Sequence, residues 1–179
     1  MKKIAFILLL SSVFLISVSV SAQKPTAPVA SLDLQKYAGT WYEIGRYPNK
    51  LQRKCAGNVT VVYTRKSNGD LEIQIQCLGT KGINEVYKTD AKIVDNTNAK
   101  MRSGWGDHWV IDLDPNYQYA AVSDSKGENL WILGRAAKMS DAVYQSILRR
   151  VEAMGFNPGK VAKTPQNVEV VKGTVIEKP

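Results

Sequence analysis

The segment GTWYEIGRYP, residues 39–48, carries more information about the fold than any other part of this 179-residue sequence. Its aromatic and β-branched side chains predict a strand over residues 40–47, which stops at the Pro48-Asn49 turn. Because side chains alternate along a strand, Trp41, Glu43 and Tyr47 are expected on one face. Two further blocks, DLDPNYQYA at residues 112–120 and LWILGR at residues 130–135, follow it along the chain.

Short strand-like runs separated by turn signals continue from this segment to residue 136. The run at residues 71–77 is the clearest, because Leu71, Ile73, Ile75 and Cys77 alternate with polar residues. Clusters such as SNGD at residues 67–70 mark the turns. The predicted strands cover residues 40–47, 58–66, 71–77, 83–94, 99–103, 108–113, 117–123 and 129–136.

One helix is predicted after the last strand, with Ser140 as its N-cap and Gly155 as its C-terminal stop. Eight strands in up-and-down order and one late helix favour a closed barrel, because closure removes exposed strand edges. The pattern alone fits a β-sandwich nearly as well. The apolar stripe of the helix consists of Val143, Ile147, Leu148, Val151 and Met154.

The three blocks resemble the conserved motifs of the lipocalins, and this resemblance favours the barrel. Residues 39–41 resemble the Gly-x-Trp of the first strand, and residues 112–120 and 130–135 resemble the second and third motifs. The flanking residues look like those of bacterial lipocalins, which are similar to plant temperature-induced lipocalins and apolipoprotein D. The resemblance covers residues 32–156 and implies an all-β, eight-stranded antiparallel up-and-down β-barrel (a calyx), with one C-terminal α-helix packed on its outside.

Three residues are expected to have structural roles within that fold. The resemblance places Trp41, with Gly39 before it, at the closed end of the barrel, and it places Arg135 across the tryptophan ring. A guanidinium over an indole face is a cation–π contact. Outside the lipocalin domain at 32–156, residues 23–31 are expected to form a flexible lead-in, and residues 157–179 form a C-terminal tail with no assigned role.

Strand alternation predicts an apolar, aromatic cavity that suits one small hydrophobic ligand. Its mouth is expected at residues 49–57, 79–82, 104–107 and 124–128, where Trp105 either contacts a ligand or membrane or anchors its loop. Glu43 is the polar member, and it either orients the ligand or serves as a hydrogen-bonded structural carboxylate. The cavity candidates are Glu43, Tyr47, Leu71, Ile73, Ile75, Trp109, Ile111, Tyr119, Trp131 and Leu133.

The N-terminal residues 1–22 have the pattern of a secretory signal peptide. Lys2 and Lys3 precede an apolar run, and small residues end it at Ala22; a membrane anchor is the alternative. Gln23 then stands where a bacterial lipoprotein needs a cysteine. The expected protein is therefore exported, periplasmic or secreted and soluble, with the outer membrane as a place of association.

Cys55 and Cys77 are the two cysteines of the sequence, and an oxidising compartment favours a disulfide between them. Two separate buried thiols are the alternative. A turn centred on Asn68-Gly69 would set Cys77 opposite Thr60, so the bridge is expected to require Cys55 to fold back over the barrel rim. It would close a loop of about twenty residues.

Several function classes find no support in the composition. The net charge of +8 comes from scattered lysines and arginines without the basic stripe of a nucleic-acid-binding protein. His108 is the single histidine and is expected to be an ordinary strand residue, so neither a metal site nor a catalytic triad is predicted. We expect no enzyme, no cofactor and no nucleic-acid partner.

The expected partner is a small hydrophobic ligand, a fatty acid or lysophospholipid, with peripheral contact to an anionic membrane. By resemblance, the role would be transport or storage in membrane lipid maintenance or stress. The alternatives are an interaction or inhibitor protein that uses the barrel rim, and a lipocalin-fold enzyme.

Overall fold

Eight antiparallel strands form a closed barrel in a computed structural model, which describes residues 27–178. The strands are β1 Gly39–Arg46, β2 Cys55–Arg65, β3 Leu71–Gly79, β4 Asn84–Ile93, β5 Lys100–Ser103, β6 Gly106–Leu113, β7 Tyr119–Ser123 and β8 Leu130–Gly134. Consecutive strands pair, and β1 closes the ring by pairing with both β2 and β8. The predicted fold class is confirmed, while the predicted signal peptide over residues 1–22 lies outside the described residues.

The barrel interior is built by the inward face of each strand. In β3, the buried residues Leu71, Ile73, Ile75 and Cys77 alternate with more exposed polar neighbours, as the sequence predicts. A second buried layer lies between the outside of the wall and a helix. The strands β6 to β8 therefore bury side chains on both faces.

The helix α2, Asp141–Ala153, covers the outside of the barrel wall. Its N-cap is Ser140, whose hydroxyl accepts a hydrogen bond from the backbone N–H of Val143, and Gly155 follows its end in the left-handed conformation. Val143 itself is 37% exposed, so the predicted apolar stripe was wrong at its first residue. The buried residues, spaced three and four apart, are Tyr144, Ile147 and Val151.

A single-turn helix, α1 (Leu34–Tyr37), closes one end of the barrel. Its Tyr37 is completely buried and packs against Trp41, with ring centroids 5.1 Å apart. The predicted contact between Arg135 and Trp41 is present here. Gly39, the first residue of β1, adopts a positive φ of 93°, a conformation that a residue with a side chain would adopt only under strain.

The C-terminal segment, which the sequence left without a role, packs against the barrel. Its elements are the 3₁₀ helix Pro158–Lys160, β9 Ala162–Lys163, β10 Val168–Val171 and β11 Thr174–Glu177. β9 pairs with β1, and β10 and β11 form a hairpin. A Cβ on Gly57 would lie 2.6 Å from Val168 Cγ2 and 2.7 Å from the Pro165 carbonyl oxygen, so glycine is what allows the segment to approach β2.

The N-terminal lead-in is docked in part. The backbone N–H of Val29 donates to the Val110 carbonyl oxygen at 2.8 Å, and the Val29 side chain packs against the inner core. The description of residues 23–31 as a flexible lead-in therefore does not hold for Val29, because a strand edge and an apolar cluster hold it.

The Cys55–Cys77 disulfide joins β2 to β3 and confirms the predicted pairing. The predicted fold-back over the rim is wrong. Irregularities in β2 around Gly57 shift its register, so that Cys55 lies opposite Gly79, two residues from Cys77. The bulge thus brings Cys55 into the strand, with the two Cα atoms 5.5 Å apart.

Candidate functional site

A cavity of about 430 Å³ lies inside the barrel and opens at the end opposite α1. Three connections border its opening, which we call the mouth: residues 47–54, 104–105 and 124–129. The predicted connection at 79–82 does not line it and instead adjoins the C-terminal hairpin, where a Cβ on Gly82 would lie 3.6 Å from the Val170 carbonyl oxygen. The lining residues are Pro48, Asn49, Lys50, Leu51, Val61, Tyr63, Ile73, Ile75, Ser103, Trp105, Asp107, His108, Glu128, Asn129, Trp131 and Leu133.

Four of the ten cavity candidates line this space. Ile73 and Ile75 come from β3, and Trp131 and Leu133 come from β8. Both strands keep a regular two-residue alternation, which is why the sequence placed them on the inner face. These four residues remain candidates for ligand contact.

Three wall residues were missed by the sequence analysis. Val61 and Tyr63 from β2 and His108 from β6 line the cavity together with the four candidates. Alternation along β2 offered a signal, since Val59, Val61 and Tyr63 are all buried inside. We call the inner wall the seven residues Val61, Tyr63, Ile73, Ile75, His108, Trp131 and Leu133.

The placement of Trp109, Ile111 and Tyr119 inside the cavity is wrong. All three belong to the layer between the wall and α2. The inward positions of β6 are those of His108 and Val110, so Trp109 and Ile111 must face outward. Tyr119 likewise lies outside, where the Arg150 guanidinium carbon is 5.1 Å from its ring centroid.

Tyr47 and Leu71 also lie away from the cavity. A register shift between Glu43 and Gly45 breaks the alternation of β1, and Tyr47 packs outside against Phe156 with ring centroids 6.3 Å apart. Its hydroxyl donates to the Asn157 carbonyl oxygen at 2.9 Å. Leu71 faces inward as predicted, but it is completely buried in the solid part of the core.

Glu43 is buried in the wall and does not line the cavity. Its carboxylate accepts hydrogen bonds from Gln52 Nε2 at 2.6 Å, from the Thr164 hydroxyl and from Arg46 Nη1. Gln166 donates to its backbone oxygen at 2.8 Å. Of the two alternatives for Glu43, the geometry matches the structural carboxylate, which connects β1, the first mouth connection and the C-terminal segment.

Gln52 connects this buried carboxylate to the cavity. Trp131 Nε1 donates to Gln52 Oε1 at 2.8 Å, and Asn49 Nδ2 donates to the same oxygen at 3.0 Å. The indole of Trp131 is thereby held in one orientation on the inner wall. The polar group of this aromatic residue is satisfied by protein and is not available to a ligand.

Tyr63 and His108 form a polar pair on the inner wall, with Tyr63 Oη 2.6 Å from His108 Nε2. Burial lowers the pKa of His108 from its ordinary 6.5 to about 4, because the charged imidazolium is disfavoured there. Burial also raises the pKa of Tyr63 well above its ordinary value. At neutral pH the pair is uncharged.

The mouth carries Trp105, which lines the cavity from the 104–105 connection and is 37% exposed. It is therefore placed to touch an occupant of the cavity while remaining open to solvent. Within residues 27–178, no group of three His, Cys, Asp or Glu side chains is arranged to hold a metal ion. The site is an apolar cleft with polar groups at its edge and one uncharged polar pair, Tyr63 and His108, on its inner wall.

Comparison with known sequences gives a consistent set of relatives. A family model described as a lipocalin-like domain matches residues 32–166. Temperature-induced lipocalin-1 of Arabidopsis thaliana is 29% identical over 161 residues, covering 81% of this chain and 85% of the plant protein. Outer membrane lipoprotein Blc of Escherichia coli K12 is 30% identical over 162 residues, covering 79% of this chain and 86% of that protein.

Solved structures with the same fold are more distant in sequence. The major allergen Per a 4 from cockroaches superposes with a TM-score of 0.63 at 20% identity, covering 82% of this chain and 95% of the allergen. Insecticyanin from the tobacco hornworm Manduca sexta gives a TM-score of 0.61 at 17% identity, covering 77% and 82%. At this level of sequence identity, the structural similarity shows a shared fold only.

Proposed function

The chain belongs to the lipocalin family, and on that premise we propose that it binds a single-chain amphipathic lipid, a fatty acid or lysophospholipid, inside the barrel. Lipocalins are binding proteins, so the expectation that the chain is not an enzyme agrees with its family. The observation that carries the proposal is the cavity, which is apolar within and open at one end.

The inner wall suits an acyl chain. Val61, Ile73, Ile75 and Leu133 offer aliphatic surface, and the indole of Trp131 adds a flat apolar face. Transfer of a hydrocarbon chain from water to such a surface contributes about 0.8 kcal/mol for each buried CH₂ group. A chain of modest length therefore supplies enough free energy for binding without any charged contact inside.

The mouth suits a polar head group. Lys50 is the one cation among the described lining residues, and Asp107 and Glu128 are the carboxylates. A fatty acid carboxylate would lie near Lys50, whereas a zwitterionic lysophospholipid would use both signs of charge. A head group at the mouth keeps its charge hydrated, which avoids the cost of burying it.

The place of action is proposed to be outside the cytoplasm. Residues 1–22 have the pattern of a signal peptide, and the disulfide between Cys55 and Cys77 suits an oxidising compartment. Among residues 27–178, no helix is both long and apolar enough to cross a membrane. We propose lipid transport or storage at a bacterial envelope, for membrane maintenance or stress, with the mature chain starting at Gln23.

A matched pair of variants tests the ligand site. Ile75→Trp adds bulk to the inner wall, whereas Gln76→Trp puts the same side chain on the exposed outer face of β3. We expect Ile75→Trp to weaken binding of a fluorescent fatty acid by about tenfold or more, because it occupies the space of the chain. Gln76→Trp should bind as the unmodified protein does.

Mass spectrometry of the natively purified protein completes the test. A co-purified fatty acid or lysophospholipid would support the proposal and identify the ligand. An empty protein that binds neither lipid class, whatever its cavity variants do, would contradict it and favour an interaction protein that uses the barrel rim. N-terminal sequencing of the exported protein tests the start at Gln23.

A further inference from the structure

The Tyr63–His108 pair is the one feature of the inner wall that an ordinary saturated acyl chain does not use. The other inner-wall side chains are aliphatic or, in Trp131, already hydrogen-bonded to Gln52. A polar pair in such surroundings costs free energy unless all its donors find partners. Its hydrogen-bonding capacity therefore indicates what the cavity is built to receive.

Counting donors shows that the pair is incomplete. A neutral histidine has one N–H, and a tyrosine hydroxyl has one O–H. They share a single hydrogen bond, between Tyr63 Oη and His108 Nε2. If the tyrosine donates to Nε2, the Nδ1–H of His108 is left over. If the histidine donates, the Tyr63 hydroxyl can still donate to the neighbouring Tyr37 hydroxyl. With Tyr63 as the donor to His108, one N–H of His108 remains without a protein partner, and His108 lines the cavity.

The unpaired donor of the Tyr63–His108 pair favours a neutral ligand oxygen over a carboxylate as its hydrogen-bond acceptor. Burial disfavours the charged imidazole that a carboxylate beside this pair would need, and Lys50, the one cation among the described lining residues, belongs to the mouth. Burying a charge without an opposite charge is far more costly than burying a hydroxyl or carbonyl that receives one hydrogen bond. The head group therefore stays at the mouth, and the oxygen must belong to the chain.

We propose that the Tyr63–His108 pair selects a ligand whose buried acyl chain carries a hydroxyl or keto oxygen. The inference rests on the proposed function, because it names which lipids of that class the cavity prefers. The remaining aliphatic wall around the pair, from Val61, Ile73 and Leu133, contacts the hydrocarbon on either side of the oxygen. On the side of the closed end, Tyr63 packs against Tyr37, with ring centroids 4.8 Å apart.

The test compares stearate with hydroxystearates that carry the hydroxyl at carbon 2, 9, 10 or 12, each displacing the same fluorescent fatty acid. We expect at least one of the three in-chain isomers to bind about fivefold to tenfold tighter than stearate, the range for one net hydrogen bond in an apolar site. The 2-hydroxy isomer keeps its hydroxyl beside the head group at the mouth and should gain nothing from the pair.

Variants then assign the preference to the pair. Either residue alone still offers a donor, so the decisive variant is the double substitution Tyr63→Phe with His108→Leu. It should lose the preference for in-chain hydroxyls, which is read as the ratio of the hydroxystearate and stearate affinities, whatever its affinity for stearate itself. Tyr42→Phe removes a tyrosine hydroxyl from the outer face of β1 and serves as the matched control. Because the readout is a ratio of two affinities in one protein sample, partial misfolding of a variant does not imitate the result.

The outcomes separate this inference from the proposed function. If the unmodified protein binds stearate and every hydroxystearate equally, the inference is overturned and the lipid-binding proposal stands. If it binds none of them and no lysophospholipid, the proposed function itself fails. A preference that persists in the double variant also overturns the inference. If the double variant does not fold, the double substitution Tyr63→Phe with His108→Phe, which removes the same polar groups and keeps a ring at both positions, decides in its place.

Discussion

Arg135 lies flat over Trp41, with its guanidinium carbon 3.8 Å from the centre of the indole ring. The same guanidinium donates hydrogen bonds to the carbonyl oxygens of Thr40 at 2.9 Å and Ala38 at 3.0 Å. It also donates to the carbonyl oxygen of Tyr117 at 3.3 Å. One side chain from the end of β8 thus connects α1, β1 and the β6–β7 turn at the closed end, away from the cavity.

Arg135→Ala should destabilise the protein while leaving ligand affinity mostly unchanged. The variant loses a cation–π contact and several charged hydrogen bonds, a loss of about 2–3 kcal/mol because water can reach some of the carbonyls. The expected fall in Tm is about 5–10 °C by differential scanning calorimetry. Arg149→Ala, on the exposed face of α2, is the control and should be near neutral. Loss of binding without a loss of Tm would contradict the structural role.

Glu43→Ala should be among the most destabilising single substitutions. It leaves Arg46, Gln52 and Thr164 without their shared acceptor in a buried setting, and breaking a buried ion pair in this way costs about 3–5 kcal/mol. Urea denaturation gives the loss. The conservative Glu43→Gln should cost less and bind lipid with nearly unchanged affinity, since Glu43 does not reach the cavity. A Glu43→Gln variant of full stability but weak binding would restore the ligand-orienting alternative.

Removal of the disulfide should lower the free energy of unfolding by about 3 kcal/mol, because the unfolded chain regains the freedom of the loop that Cys55 and Cys77 close. The double variant Cys55→Ser with Cys77→Ser measures this loss in chemical denaturation. Addition of dithiothreitol should destabilise the unmodified protein by a similar amount and leave the double variant unaffected. Equal stability of all four samples would show that the bridge does not form in solution.

Sequence analysis oriented correctly a strand with one apolar face, β3, and β8, whose inward face was assigned from the motif residue Arg135. In β3, glutamines and a glutamate separate Leu71, Ile73 and Ile75, so the inward face is visible in the residues themselves. In β6 and β7 both faces are buried, one by the barrel interior and one by α2, and apolar residues occupy adjacent positions such as Val110 and Ile111. When both faces of a strand are apolar, the two-residue alternation does not show which face points into the barrel. Trp109, Ile111 and Tyr119 were misplaced for this reason.

The packing of the C-terminal segment against the barrel could not be predicted from the sequence, for a different reason. Polar contacts between residues far apart in the chain help to hold it, such as Thr164 to Glu43 and the Asn58 side chain to the backbone of Val168. Neither hydrophobic periodicity nor a sequence motif predicts such long-range polar contacts. The bulge around Gly57 lies where that segment packs against β2, and it shifts the register that the prediction for Cys55 had assumed.

His108 should make the stability of the protein depend on pH between about 4 and 6.5. Burial lowers its pKa from 6.5 to about 4 in the folded state, so in this window the unfolded chain binds a proton that the folded protein does not. The free energy of unfolding therefore rises with pH across the window. The contribution of His108 is complete above pH 6.5, is lost as the pH falls to about 4, and amounts to about 3 kcal/mol at most.

Urea denaturation between pH 7.5 and 5 isolates this contribution, because His108 is the only histidine and most carboxylates stay ionised there. The matched variant is His108→Gln, whose amide oxygen takes the place of Nε2 as a partner for Tyr63 and does not titrate. We expect the unmodified protein to lose stability toward pH 5 and the variant to lose much less. Parallel pH profiles for the two proteins would mean that His108 titrates alike in the folded and unfolded states, and that the inner wall is wetter than its packing indicates.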